Sequence, residues 1–180
     1  MRFTVRDIAT IGLMTALIEA VKWALQGIPN VEMVTLLFMV FAVTYGLKTC
    51  IAALIFTGVE TLIWGVHIWV IMYIYIWPLL VLISYFMGKK KLPDWAFVFL
   101  GGFYGLFFGM ICAVPYVFFG GIKVAVAWWI AGIPFDILYA VSNTILCLVL
   151  FRPLRKALTK MIGTPYKGGE ISEDNRHTEP

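Results

Sequence analysis

Four ionisable side chains fall inside otherwise apolar stretches: Glu19, Lys22, Glu60 and Asp136. A charge at the centre of a bilayer costs on the order of 2.5–3.5 kcal/mol on insertion scales, so such groups face a cavity or a partner rather than lipid. Glu19 and Lys22 stand three residues apart, a spacing that lets them pair along one helix. Two chemistries suit buried carboxylates beside an ammonium. One is recognition of a polar small molecule; the other is proton relay in an ion-coupled carrier.

Aromatic and amide side chains recur near these charges. Trp69, Tyr73 and Trp77 fall every four residues ahead of Pro78. Trp129, Gly132, Asp136, Tyr139 and Asn143 lie at helical spacing on one face, with Pro134 expected to bend the axis. Short turns add Asn30 and Glu32 in GIPNVE, and His67 close to Trp64. Trp64 and Trp128 suit an interfacial belt as well as a pocket, and His67, at a turn, suits a satisfied interfacial histidine more than a ligand. Tyr73 and Trp77 run deeper than a belt requires. The expected substrate-binding set is therefore Glu19, Lys22, Asn30, Glu32, Glu60 and His67, with Trp69, Tyr73, Trp77, Trp129, Asp136 and Asn143. An apolar, aromatic pocket with a few convergent polar groups is the usual form of a small-molecule site.

The elements that must position these residues follow from composition. Of 180 residues, 62% are hydrophobic and only 13% charged, where a soluble domain is nearer half apolar and a quarter charged. Nearly every residue up to Phe151 belongs to a long apolar run, which predicts an all-α integral membrane protein with one compact bundle. Six transmembrane helices are expected, at approximately 7–26, 33–47, 49–65, 67–88, 95–119 and 124–151. The second and third are short for a span of about 20 residues, and Gly46 and Lys48 separate them. The first segment carries Asp7, Glu19 and Lys22 and no A-x-A-like cleavage site, so it reads as a retained helix and not a signal peptide.

Orientation follows from the basic residues. Arg2, Arg6, Lys48, Lys89–Lys91, Arg152, Arg155, Lys156 and Lys160 all fall on one side of such a bundle, with only Lys123 on the other. The positive-inside rule places both termini in the cytoplasm. The membrane domain covers 1–163, and the polar remainder, 164–180 with His177, is expected to be a disordered cytoplasmic tail.

Two helices carry stripes of small residues: Gly12, Ala16, Ala20 and Ala24 in the first, and Gly101, Gly105 and Gly109 in the fifth. Lipid does not drive helices together hydrophobically, so close packing needs small side chains that let backbones approach. The fifth-helix stripe reads first as packing within the bundle. The first-helix stripe is as well suited to a second protein. Lys22 lies roughly 160° around the axis from Ala20 and Ala24, so one face can meet a partner while the other looks into the chain's own cavity.

Several classes are excluded or disfavoured. Cys50, Cys112 and Cys147 lie in separate apolar segments without C-x-x-C spacing, so neither a disulfide framework nor a metal site is expected. There is no P-loop, no HExxH, no histidine pair for haem or zinc and no Ser/His/Asp set on one face. The chain is therefore not expected to be an enzyme or to hold a cofactor. Its basic residues fit a membrane interface rather than nucleic acid. No internal repeat is evident between the first and second halves, which weighs against an inverted-repeat carrier.

The opening RDIATIGLMTA and the closing run WWIAGIPFDILYAVSNTILCLVLFRPL, with six expected helices and a length near 180 residues, resemble the substrate-binding S-components of bacterial energy-coupling factor (ECF) transporters. The closing run is similar to the last helix of that family's broad vitamin-transporter branch, and the resemblance covers about residues 5–155. It implies a vitamin or micronutrient receptor in the bacterial cell membrane, without a motor of its own. It also implies that the A-x-x-x-A face of the first helix, here Ala16 and Ala20 with Gly12 and Ala24, docks on a transmembrane coupling subunit that joins two ATPases. Family members are thought to topple in the bilayer and bind ligand between outer loops, which here contain Gly27–Glu32, Gly65–Ile68 and Gly120–Lys123. The branch points toward a cobalamin-type or pantothenate-type ligand, but no residue selects one. The competing expectations are a stand-alone ion-coupled carrier and a non-transporting membrane scaffold.

Overall fold

The structure, a computed structural model, describes residues 4–28 and 31–162. Asn30 and the 164–180 tail lie outside the described residues. All regular structure within them is helical: α1 (Val5–Leu25), α2 (Val34–Tyr45), α3 (Lys48–Trp64), α4 (Ile68–Lys89), α5 (Asp94–Leu106), α6 (Phe108–Cys112), α7 (Val114–Leu146) and α8 (Arg152–Ile162). A π-helical turn, Cys147–Phe151, joins α7 to α8.

Three stretches are long and apolar enough to cross a bilayer: α1, α4 and Val114–Met161, with α2 a shorter apolar helix. Large apolar side chains also cover the outside, among them Leu13, Leu62, Phe99, Phe118, Leu138 and Leu148. Water would penalise so much exposed apolar surface, whereas lipid does not. The fold fits a membrane-embedded protein.

Helix α2 is the hub. Val34 to Ala42 and Thr44 are all buried, as expected for a helix that is apolar on every side. It packs against α1, α3, α4, α5, α7 and α8. Around it, α1 lies on α3, α3 on α4, and α5 on α7. Phe38, Phe56 and Trp77 pack ring against ring where α2, α3 and α4 meet. Aromatic pairs of this kind add specificity to burial that lipid alone would not enforce.

The ends of the bundle are fastened by polar contacts. Thr4 and Asp7 form a reciprocal capping box that satisfies the first free amides of α1. Asp7 also pairs with Lys48 at the start of α3. Asp94 at the start of α5 binds Arg155 of α8 at 2.7 Å. Within α7 the backbone leaves the helix at Gly121, where φ is 79°. With ψ at 171° this is a region that essentially only glycine adopts, and it costs other residues about 1–3 kcal/mol. Pro134 keeps helical geometry, so the interruption in this stretch belongs to Gly121.

The fifth-helix glycines do pack within the bundle. A Cβ on Gly105 would stand 2.8 Å from Ala140 Cα and 2.9 Å from Ala140 N. Backbone cannot retreat as a side-chain tip can, so Gly105→Ala should destabilise the protein by about 1–3 kcal/mol. A Cβ on Gly12 meets nothing within 4 Å. Gly12→Ala should therefore melt within a degree or two of the parent, a contrast that a thermal unfolding series in detergent would read directly.

Candidate ligand-binding site

The charged residues converge at one end of the bundle. The last turn of α1 brings Lys22, Trp23 and Gln26, the following loop Val31 and Glu32, and the end of α3 Glu60 and Trp64. Tyr73 comes from α4, Phe108 from α6, and Phe135, Asp136 and Tyr139 from α7. Together they line a cavity of about 370 Å³, in the range that encloses small molecules. A wider groove of about 600 Å³ between α5 and α7 is lined by apolar side chains and Thr144, with no charged group. The first cavity, which gathers the charged side chains, is the candidate site.

Its electrostatics correct one expectation. Glu19 and Lys22 do not pair along α1. Lys22 instead forms an ion pair with Glu60 of α3 and lies 5.6 Å above the Phe56 ring. The reason is position: α3 packs directly on α1, and Glu60 meets the ammonium across the helix interface with no lateral reach. Both Glu19 oxygens are then buried without a hydrogen-bond partner among the described residues.

A second network joins the loop to α7. The Tyr139 hydroxyl donates to Glu32 and lies 2.9 Å from Thr35 Oγ1 of α2. Burial pushes the Glu32 carboxyl up from its ordinary range, while the Tyr139 hydroxyl and the Lys22 charge pull it back down. Asp136 is held from behind: the Gly109 amide donates to its Oδ1 at 3.0 Å. A side chain at 109 would collide with that carboxylate, so the third glycine of the stripe is also what seats Asp136. Asp136 Oδ2 is buried without a partner among the described residues.

Other expected site residues lie apart from the cavity. Trp77 is in the core, 1% exposed, because the α4 stripe that holds it packs on α2 and α3. Asn143 is fully buried one turn beyond Tyr139 and does not line the cavity. Trp129 is partly buried and also lies off it, while its neighbour Trp128 stacks on Tyr116 at 4.9 Å. His67 and exposed Trp69 border a separate cleft behind Glu60 and Tyr73, about 20 Å³, room for one water. The His67 ring contacts the Trp64 carbonyl.

Trp23, Gln26, Phe108 and Phe135 line the cavity without having been expected there, and Tyr139 plays a larger part than its place on a shared face suggested. Trp23 and Trp64 stack at 6.0 Å across α1 and α3 at the cavity's edge, each about half exposed. The signal for Tyr139 is its position one turn from Asp136; nothing local marks Trp23.

The face of α1 away from the cavity is bare. Gly12, Ala16, Ala20 and Ala24 are all exposed, while Ile11, Met14, Thr15 and Ile18 are buried. Set against family models, curated proteins and solved structures, the chain matches none.

Proposed function

We propose that this chain is the substrate-binding membrane component of an ATP-driven ECF transporter. It captures a vitamin or related micronutrient outside the cell and delivers it through a complex with a transmembrane coupling subunit and two ATPases. It crosses the bacterial cell membrane with six helices and keeps both termini in the cytoplasm. The observation that supports this best is the division of α1. Its small-residue face is exposed along four successive turns, while Lys22 turns inward to Glu60 and the cavity. The cavity also lies at the ends of α1 and α3 remote from Asp7, Lys48 and the α8 basic residues, so it opens away from the basic side.

A second reading draws on Glu19 and Asp136, whose buried oxygens, unpartnered among the described residues, suit proton sites in a stand-alone carrier. One experiment separates the two. Mass spectrometry of extracts from the purified protein identifies its ligand, and uptake of the labelled compound is measured with and without the ATPase partners. Uptake should require the ATPases and survive a protonophore. Uptake that persists without them and collapses with the protonophore establishes the carrier. A protein that yields no small molecule, and is not stabilised by any member of a vitamin panel, is the scaffold.

A further inference from the structure

We infer that the cavity takes an organic cation with a flat apolar body, its positive centre held by Asp136 with Glu32 on the same cavity wall. This deepens the receptor reading, on which it rests for the ligand being cargo.

The inference begins with the charges. Among the described residues lining the cavity, three are acidic, Glu32, Glu60 and Asp136, and one is basic, Lys22. Lys22 is already engaged by Glu60. No cation among these lining residues is left for Asp136 or Glu32. Tyr139, three residues along α7 from Asp136, donates to Glu32. Asp136 and Glu32 therefore line one cavity, with the only lysine among its described lining residues engaged by Glu60.

The state of the oxygens points the same way. Asp136 is only 6% exposed and Glu60 only 8%, yet Asp136 Oδ2 and Glu60 Oε1 have no partner among the described residues. Buried acceptors without donors are costly, and a ligand that fills the cavity must supply what they lack. What they lack is donors or positive charge. A carboxylate or phosphate would instead face two acceptors and a lysine already paired. That sets the ligand apart from the carboxylate of a pantothenate-type compound.

The walls choose the rest of the molecule. Trp23, Trp64, Tyr73, Phe108, Phe135 and Tyr139 line the same cavity as the carboxylates and give it aromatic walls. Aromatic faces attract cations, most strongly where water is excluded, and they also stack on a planar ligand body. A neutral polyol would satisfy the orphan oxygens but waste this surface.

Three phenylethyl probes of different charge test it, 2-phenylethylammonium, 3-phenylpropanamide and 3-phenylpropanoate, with the planar 3-phenylpropanamidinium as the cation that matches the last two in shape, titrated onto the full chain in nanodiscs with tryptophan quenching and calorimetry as readouts. The ammonium and the amidinium should each bind at least about tenfold tighter than the amide, and the carboxylate not measurably. Asp136→Asn should bring ammonium and amide within about threefold of each other. Because Asp136 also caps the Gly109 amide, Glu32→Gln, outside the helices, serves as a second variant and should narrow the same ratio. Equal or tighter binding of amide or carboxylate overturns the inference. So does absence of saturable ammonium binding at millimolar concentration, or an undiminished preference in both variants. Tight carboxylate binding would leave the receptor reading standing, since that reading stands or falls on the ATPase dependence of uptake.

Discussion

Ala16→Trp and Ala20→Trp should each reduce ATP-dependent uptake to background while leaving the ligand affinity of the isolated chain within about twofold of the parent. Both alanines are exposed, so the indole meets nothing inside the monomer, and exposed substitutions usually alter stability by under about 0.5 kcal/mol. On a face where another helix must bring its backbone close, the same indole holds the partner several ångströms away and forfeits the contact. Leu62→Trp is the control. Leu62 is 87% exposed on α3, outside the small-residue stripe, and its replacement should leave uptake intact. Co-purification of the coupling subunit should fall in step with uptake. Wild-type uptake in Ala16→Trp and Ala20→Trp, or parallel loss of ligand affinity, would show that this flank is not a separate docking surface.

How much of this was legible in the sequence depends on whether a property is local. The inward turn of Lys22 and the outward turn of Ala16 and Ala20 follow from helical pitch and the cost of charge in lipid, both readable from one strand of text. The glycines of α5 read as close packing for the same reason, and Gly105 lies against Ala140 backbone. What stayed hidden are facts about pairs of helices. Three-residue spacing offered Glu19 to Lys22, but the facing helix offered Glu60, and only the packing of α1 on α3 decides between them. Trp77 shares a spacing with Tyr73, yet that spacing of four drifts around the helix: Tyr73 borders the cavity while Trp77 points into the core. The Trp23–Trp64 stack joins residues 41 positions apart, beyond any periodicity.

The centrality of α2 was also partly concealed. Its uniform apolarity could mean a helix bathed in lipid or one enclosed by protein, because both solvents are equally apolar to a leucine. Its 12 residues, about 18 Å long, fall short of a bilayer's ~30 Å core, which favours enclosure. Enclosure has a consequence for the site. Thr35, at the buried start of α2, touches the Tyr139 hydroxyl that in turn holds Glu32, so the loop bearing Glu32 is tied to the buried hub of the bundle.

Lys22→Ala should lower thermodynamic stability by about 3 kcal/mol, because it strands Glu60 in a buried position with no countercharge. Removing one member of a buried pair costs about 3–5 kcal/mol, and the low end applies here since the Lys22 side chain keeps 24% exposure while that of Glu60 keeps 9%. The attraction itself is a different quantity. Lys22→Met combined with Glu60→Met removes both charges and both desolvation costs, and should recover most of the lost stability. A double-variant cycle followed by thermal unfolding in detergent distinguishes these terms. The pattern expected is a large loss for Lys22→Met alone as for Lys22→Ala, a smaller one for Glu60→Met alone, and near-parent stability for the double variant. If Lys22→Ala melted with the parent, Glu60 would have found water or a proton at no cost, and the pair would not be what fastens α1 to α3 at the cavity wall.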